Sequence, residues 1–373
     1  MAANLPRPAR RGGDALNTET EPSGAARLHL ESSTRGRALA LQADGTLYAA
    51  QQLRILRSRD DGASWERVAA LPRDPLRRAA ELSRLACRLL RHEVRALAVV
   101  GDDRLVAANR RGVFAGRVGD ALLAPSEVAG GALAVLPPLC IGSGPGTVLF
   151  GEYGSPRGRP MRLFASRDGG RRFEAVHHFA PGEVLHVHNI VHDAKQGHYW
   201  VLTGDFDQQP GIGKLSSDLR RFEWFVRGAQ RFRAVEVFDL GDRLVYATDT
   251  QLEPNALVTL DKQTGKAERL RDFEGSCIYA CRFGSWYAIT TTVEPSRVNP
   301  SRDATLWVSR DLEHWHCVVR ARKDRWHADY FQFGSLVLPR GASDRDVIAV
   351  SGQAVERYDG RVWTGRIDPG DAA

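Results

Sequence analysis

The eight residues SRDDGASW (Ser58–Trp65) return as SRDGGRRF (Ser166–Phe173), with looser copies at SSDLRRFEWF from Ser216 and SRDLEHW from Ser309. A chain that repeats one turn repeats the unit built around it, so this phrase constrains the fold more than any other feature. Each strong copy stands between two strand-like runs, RILRS and WERVAA for the first, MRLFAS and FEAVHHF for the second. Asp-Gly and Gly-Gly between such runs signal a tight hairpin. The Ser hydroxyl and Asp carboxylate can bond the turn amides, and the aromatic ring can cover the turn.

The pattern S-x-D-x-G-x-[ST]-[WF] resembles the Asp box of sialidase-like β-propellers. Ser58, Asp60, Gly62, Ser64 and Trp65 match it fully; Ser166, Asp168, Gly170 and Phe173 match with Arg172 in the hydroxyl position. In that family the box is a structural turn between the third and fourth strands of a blade, away from the active site. The resemblance implies an all-β fold of four-stranded antiparallel blades around an axis. Cut at the boxes, residues 26–367 give one seven-bladed β-propeller, with six and eight as alternative counts. Blades start at RALALQADG, VRALAVVGDD, ALAVLPPLC, VLHVHNIVHD, RAVEVFD, CIYACRF and DYFQFGSLVLP. AVERYDG and VWTGRI complete the last blade, and ARLHLES near residue 30 is a candidate closing strand. Residues 1–25 and 368–373 read as tails rich in Pro, Gly, Ala and charge.

The segment 75–93, PLRRAAELSRLACRLLRHE, interrupts the rhythm between the first two blades. Leu82, Leu85, Ala86, Leu89 and Leu90 recur at helical spacing, which predicts an amphipathic helix packing that stripe on the propeller.

Equivalent positions of a ring converge on its axis. Arg37, Arg95 and Arg233 each precede an innermost strand, while His186 and Cys277 hold that place in blades four and six. Three arginines and a histidine are therefore expected at one channel mouth. Arginine cannot shed its charge, so such a cluster favours an anion, or else neighbouring acids. His186 and His188 sit two apart on one strand and so share a side; either can titrate near neutrality as acid or base. The pair offers two metal ligands, with no third at a metal-binding spacing, so no cofactor is assigned.

The loops between second and third strands are short in blades one and two and long in three to six: GEYGSPRGRP, TGDFDQQPG, TDTQLEPN and TTVEPSRVNPSRD. They supply Glu152, Tyr153, Arg157, Asp205, Asp207, Asp249, Glu253, Asn255, Glu294, Arg297 and Asn299, an inventory suited to sugar.

From Gly151 to Asn299, the stretches GEY, EVLHVH, WVLTGDFD, ATDTQLEPN and VEPSRVNPSR resemble a bacterial group of BNR-repeat propellers found encoded among exopolysaccharide or O-antigen genes. That resemblance implies a carbohydrate context. The F/Y-R-I-P motif of classical sialidases is missing, so neuraminidase activity is not implied. The leading expectation is a carbohydrate-active protein, a glycosidase or polysaccharide lyase, acting on an acidic poly- or oligosaccharide. Elimination would use His186 or His188 with Tyr153 as acid and base, and Arg233 or Arg297 against a uronate carboxylate. Hydrolysis would use two carboxylates from Glu152, Asp205, Asp207, Asp249 and Glu294. Arg37, Arg95, Arg157, Asp207, Arg233, Asp249, Glu253, Asn255, Arg297 and Asn299 are the expected substrate-binding set. The alternatives are non-catalytic carbohydrate binding or scaffolding in polysaccharide assembly, and a metal-dependent enzyme using His186 and His188.

Composition sets outer bounds. The 373 residues carry 52 Lys and Arg against 45 acids, for a net charge of +7, without a long basic run or RNA-binding signature. A basic site is expected rather than a nucleic-acid partner. Five Cys without framework spacing fit reduced thiols, and no apolar h-region or membrane span is written. A cytoplasmic location is expected, with export by another route left open.

Overall fold

The computed structural model describes residues 26–73, 80–130, 138–154 and 160–370. The fold is nearly all-β and β-propeller-like: curled antiparallel sheets succeed one another along the chain. Arg37–Leu41, Leu47–Gln51, Arg54–Ser58 and Glu66–Ala70 pair in sequence, as do Ala96–Val100, Arg104–Asn109, Gly112–Arg117 and Ala124–Pro125. Gly142–Gly144, Thr147–Gly151, Arg162–Ser166 and Arg172–His178 follow, with Glu127–Val128 added in parallel at the outer edge. The same order holds in His186–Asp193 to Phe222–Arg227, in Phe238–Asp239 to Ala267–Phe273, and in Ser276–Phe283 to His316–Arg322. Among the described residues no helix is long and apolar enough to cross a membrane.

The last sheet is assembled from both ends of the described chain. Gly334–Val337, Ile348–Gln353 and Arg361–Asp368 pair in order, and Arg27–Arg35 then pairs antiparallel to Arg361–Asp368. AVERYDG, read as a strand, is instead a turn: Ala354 and Arg357 take φ of 55° and 68°, which an extended chain cannot accommodate. Arg27–Arg35 fills the vacated outer place. DYF of the same expected blade lies in a short helix, α2 (Ala328–Phe331). Arg340–Ser343 runs parallel to both Arg37–Leu41 and Ser276–Phe283, stitching the closing sheet to its neighbours. Residues 131–137, the greater part of the ALAVLPPLC strand, lie outside the described residues.

Apolar side chains fill the spaces between successive sheets rather than one central core. Leu39, Tyr48 and Ile55 of the first sheet meet Leu97, Leu105 and Phe114 of the second; Trp200, Leu202 and Ile212 meet Leu244, Tyr246 and Val258. The strands alternate period-2 side chains between two such interfaces, which explains their nearly continuous hydrophobic reading.

The repeated turns have a common wiring. In the first, Ser58 Oγ donates to Asp60 Oδ1 at 2.8 Å and accepts from the Gly62 amide at 2.9 Å; the Ser64 amide and hydroxyl bond the Asp60 carboxylate, and Trp65 Nε1 donates to the Gly62 carbonyl. In the second, Ser166, Asp168 and the Gly170 amide repeat it at 2.7 and 2.9 Å. Gly62 and Gly170 sit at φ of 85° and 89°, and where the glycine is lost Leu219 and Leu312 still take φ of 68° and 67°. The turn geometry thus survives in the looser copies at the cost of a strained leucine. A Cβ at Gly62 would lie 2.5 Å from Thr364 Cγ2, so Gly62→Ala combines strain with a clash. Its expected cost is about 2–3 kcal/mol, read as a lowered denaturant midpoint at unchanged m-value.

The helix between the first two sheets corrects the expected one. It is α1 (Arg84–Leu90), one residue short of eight, and it buries Cys87 and Arg88 rather than the leucine stripe. Leu82 and Leu89 are 89% and 44% exposed. The reason is polar: Arg88 ion-pairs Asp324 at 2.5 Å and Asp359 at 3.4 Å and donates to the Phe331 carbonyl at 2.9 Å. Arg84 binds Glu93 at 2.9 Å and Asp359 at 3.0 Å. These bonds dock α1 against α2 and the closing sheet. Residues 74–79 of the insertion lie outside the described residues.

Candidate functional site

The innermost strands are kinked where they meet the centre. A register shift leaves one extra residue, Leu39, His188 and Ile278, in Arg37–Leu41, His186–Asp193 and Ser276–Phe283. Such bulges re-aim side chains. His186 and His188 are therefore not two steps of a regular strand, yet their rings lie 6.3 Å apart and both approach Asp205. Gly204 makes room for this: a Cβ there would come 2.5 Å from the His188 ring.

A cavity of about 500 Å³ opens at this end of the strands. Arg37, Arg95 and Arg233, from the starts of three sheets, line it with Tyr153, His188, Asp249 and Glu294. Loop and insertion residues Arg91, Glu93, Arg110, Tyr330 and Gln332 add to its polar wall. None of these five was expected from the sequence, although Glu93 and Arg91 stand in the same RHEVR run as Arg95.

Arg37 donates to the Tyr279 hydroxyl at 2.8 Å, bonds Gln353, and lies 3.7 Å from Glu93. Its Nε is buried without a hydrogen-bond partner. Arg95 lies over the Tyr153 ring, 5.2 Å from its centre. Among the described residues no carboxylate stands within 4.0 Å of Arg91, Arg95 or Arg110. Burial, followed by the charges of Arg95, Arg110 and Arg37, pulls the Arg91 guanidinium below its usual value. These three arginines concentrate positive charge without a directly paired carboxylate, Glu93 only partly offsetting it at Arg91, and a bound anion would relieve it.

On the other wall Arg233 binds Asp205 at 2.8 Å and lies 3.6 Å from Asp249. Burial pushes the Glu294 carboxyl up to about 7, and the Asp249 charge adds to it; Arg233 and hydrogen bonds from Ser276 and Gln251 only partly offset this. Burial likewise pushes the Tyr153 hydroxyl up to about 12, with Arg95 opposing. Asp205 responds the other way: burial resists its charge, but His186 and His188 hold it well below the carboxylate range.

Tyr153 and His186 form a stacked pair at 4.1 Å, joined by an isolated backbone bridge. His188 Nδ1 lies 2.9 Å from the Ala234 carbonyl, so the ring donates there and turns Nε2 toward Asp205 Oδ1 at 3.3 Å.

Other expected residues fall elsewhere. Glu152 is buried against Arg162, 2.7 Å away, and does not line the cavity. Asp207 and Arg297 are exposed outside it. Glu253 borders a separate hollow with Arg231 and Arg269. Asn255 and Asn299 are buried and bond one another at 2.9 Å and the Thr250 carbonyl at 2.8 and 2.9 Å, bracing the loops rather than facing a ligand. Arg157 lies outside the described residues.

The fold and the cavity together define a propeller-like protein with a basic pocket at the starts of its innermost strands. No family model and no curated protein matches the chain. Among solved structures, a propeller-like chain of the "Crystal Structure of Mitotic Checkpoint Complex" is similar over 98% of this chain and 99% of that one, with a TM-score of 0.57 and 9% identity. At that identity the likeness concerns the fold alone.

Proposed function

We propose that residues 26–367 form one seven-bladed propeller of the sialidase-like, Asp-box (BNR-repeat) type, and that its cavity binds and hydrolyses an acidic poly- or oligosaccharide. The observation carrying this reading is one cavity that joins unmatched arginines to a carboxyl poised near neutrality. Arg91, Arg95 and Arg110 offer the anion site. Glu294, about half protonated at pH 7 and increasingly so below it, is suited to protonate a leaving oxygen. Asp249, beside it and facing Arg233, is the second carboxylate that hydrolysis requires. Tyr153 stays neutral and can donate a hydrogen bond to the sugar.

Elimination is the second reading, favoured by one arrangement: Tyr153 lies under Arg95 and against His186, so a phenol and a guanidinium line the cavity with an imidazole stacked against the phenol. The test is incubation of the purified protein with uronate-bearing and other acidic polysaccharides, recording reducing ends and unsaturated-uronate absorbance. The expected result is new reducing ends without that absorbance. Both signals together would replace hydrolysis by elimination. Measurable glycan binding with neither signal would leave a non-catalytic binding or scaffolding propeller, and absence of binding would remove the sugar altogether.

A further inference from the structure

We propose that His186, His188 and Asp205 form a binding site for one divalent transition-metal ion of the Zn²⁺ type. Their ligand atoms all lie within 4.8 Å of one another, close enough for a single ion to gather them with small side-chain adjustments. The third ligand was invisible in the sequence because Asp205 follows His188 by 17 positions and meets it only through the pairing of His186 with Gly204.

Three features point to an ion rather than to an ordinary hydrogen-bonded cluster. First, His186 Nδ1 and Asp205 Oδ2 face one another in close contact, so a nitrogen and an oxygen ligand atom already converge on one point. Second, both lone-pair directions are fixed from behind. The Ala234 carbonyl takes the His188 Nδ1 proton at 2.9 Å and leaves Nε2 as the donor atom. Arg233 holds Asp205 Oδ1 at 2.8 Å and leaves Oδ2 turned toward His186 Nδ1. Outer partners of this kind orient metal ligands and settle the histidine tautomer. Third, the rings are seated in place: Tyr153 stacks on His186 at 4.1 Å, and Gly204 admits His188.

Two imidazoles and one carboxylate select a transition metal over Mg²⁺ or Ca²⁺, which prefer all-oxygen shells. His188 lines the cavity, so an ion held by the three ligands would border the pocket and could present an open place to it. Three protein ligands and an open place are the pattern of a reactive rather than a structural ion. The nearby Arg233 charge will weaken the affinity, but it binds the other carboxylate oxygen and does not occupy the site.

This site stands independently of the sugar reading, because metal content is measured without any substrate. Chelator-treated full-length protein is titrated with Zn²⁺ alone, in parallel with Mg²⁺, and its metal content is measured after dialysis. About one equivalent of Zn²⁺ should be retained, and no Mg²⁺. His186→Ala and Asp205→Asn should each weaken Zn²⁺ binding at least as far as the ~10–100-fold typical of lost outer partners. His186 is partly exposed, so His186→Ala tests the site even where Asp205→Asn impairs folding, which circular dichroism reports. Failure to retain Zn²⁺, or retention unaltered in folded His186→Ala, overturns the proposal.

Discussion

Lys262→Ala will destabilise the protein by about 3–5 kcal/mol, the range for removing one partner of a buried ion pair. Lys262 is fully buried, 2.5 Å from Asp193 and 2.6 Å from Asp239. Asp193 is also fully buried and accepts from Trp200 Nε1 at 3.1 Å. The cluster spans two neighbouring sheets, since Asp193 ends the strand His186–Asp193 and Lys262 follows Asn255–Asp261. Burial resists the Asp193 charge, but bonds from Lys262 and the Gln196 amide hold its carboxyl below the usual value. Such a group stabilises above the unfolded carboxylate pKa, and that contribution is lost as the pH falls through the folded value. In Lys262→Ala the stranded Asp193 will take up a proton, so the penalty should be largest near neutral pH and smaller in acid. Urea unfolding of wild type and variant at pH 7 and pH 4.5 measures both. An equal loss at the two pH values would mean that Lys262 acts by packing alone.

If the cavity hydrolyses glycans as proposed, Glu294→Gln will reduce that cleavage by about 10²–10⁴-fold, the span of general acid catalysis. The wild-type rate should also fall above pH 7, where the Glu294 carboxyl gives up its proton. The same group predicts a stability effect that needs no substrate. Its folded pKa is raised, so its stabilising contribution is complete below the ordinary glutamate value, about 4.3, and is lost as the pH rises through about 7. Glutamine carries no such charge. The stability of Glu294→Gln relative to wild type should therefore increase from pH 4.5 to pH 8. A flat difference over that window would show that Glu294 is not held protonated by its surroundings. A variant of full activity would assign proton donation elsewhere in the cavity.

The sequence disclosed what repetition encodes. Ser58, Asp60 and Gly62 return as Ser166, Asp168 and Gly170 because a tight turn needs those particular bonds, and the copies reveal the period. The period in turn brought Arg37, Arg95 and Arg233 to a common place without any contact being visible. What stayed hidden comes from departures from the repeat. Arg91, Glu93 and Arg110 reach the cavity through the insertion and a neighbouring turn, and Tyr330 through α2, whose docking is set by Arg84 and Arg88. Hydrophobic spacing on α1 suggested the wrong face because a charged residue there had found two partly buried carboxylates. Glu152, chosen by its loop, was already satisfied by Arg162.

The pairing of Arg27–Arg35 with Arg361–Asp368 has a temporal meaning. During translation Arg27–Arg35 must wait, unclasped, until Arg361–Asp368 has left the ribosome. Until then its backbone lacks its partner strand, and contacts this distant in sequence form slowly. Completion of that last sheet is thus a late event, and its outermost strand is the piece whose loss would leave Arg361–Asp368 as an open edge.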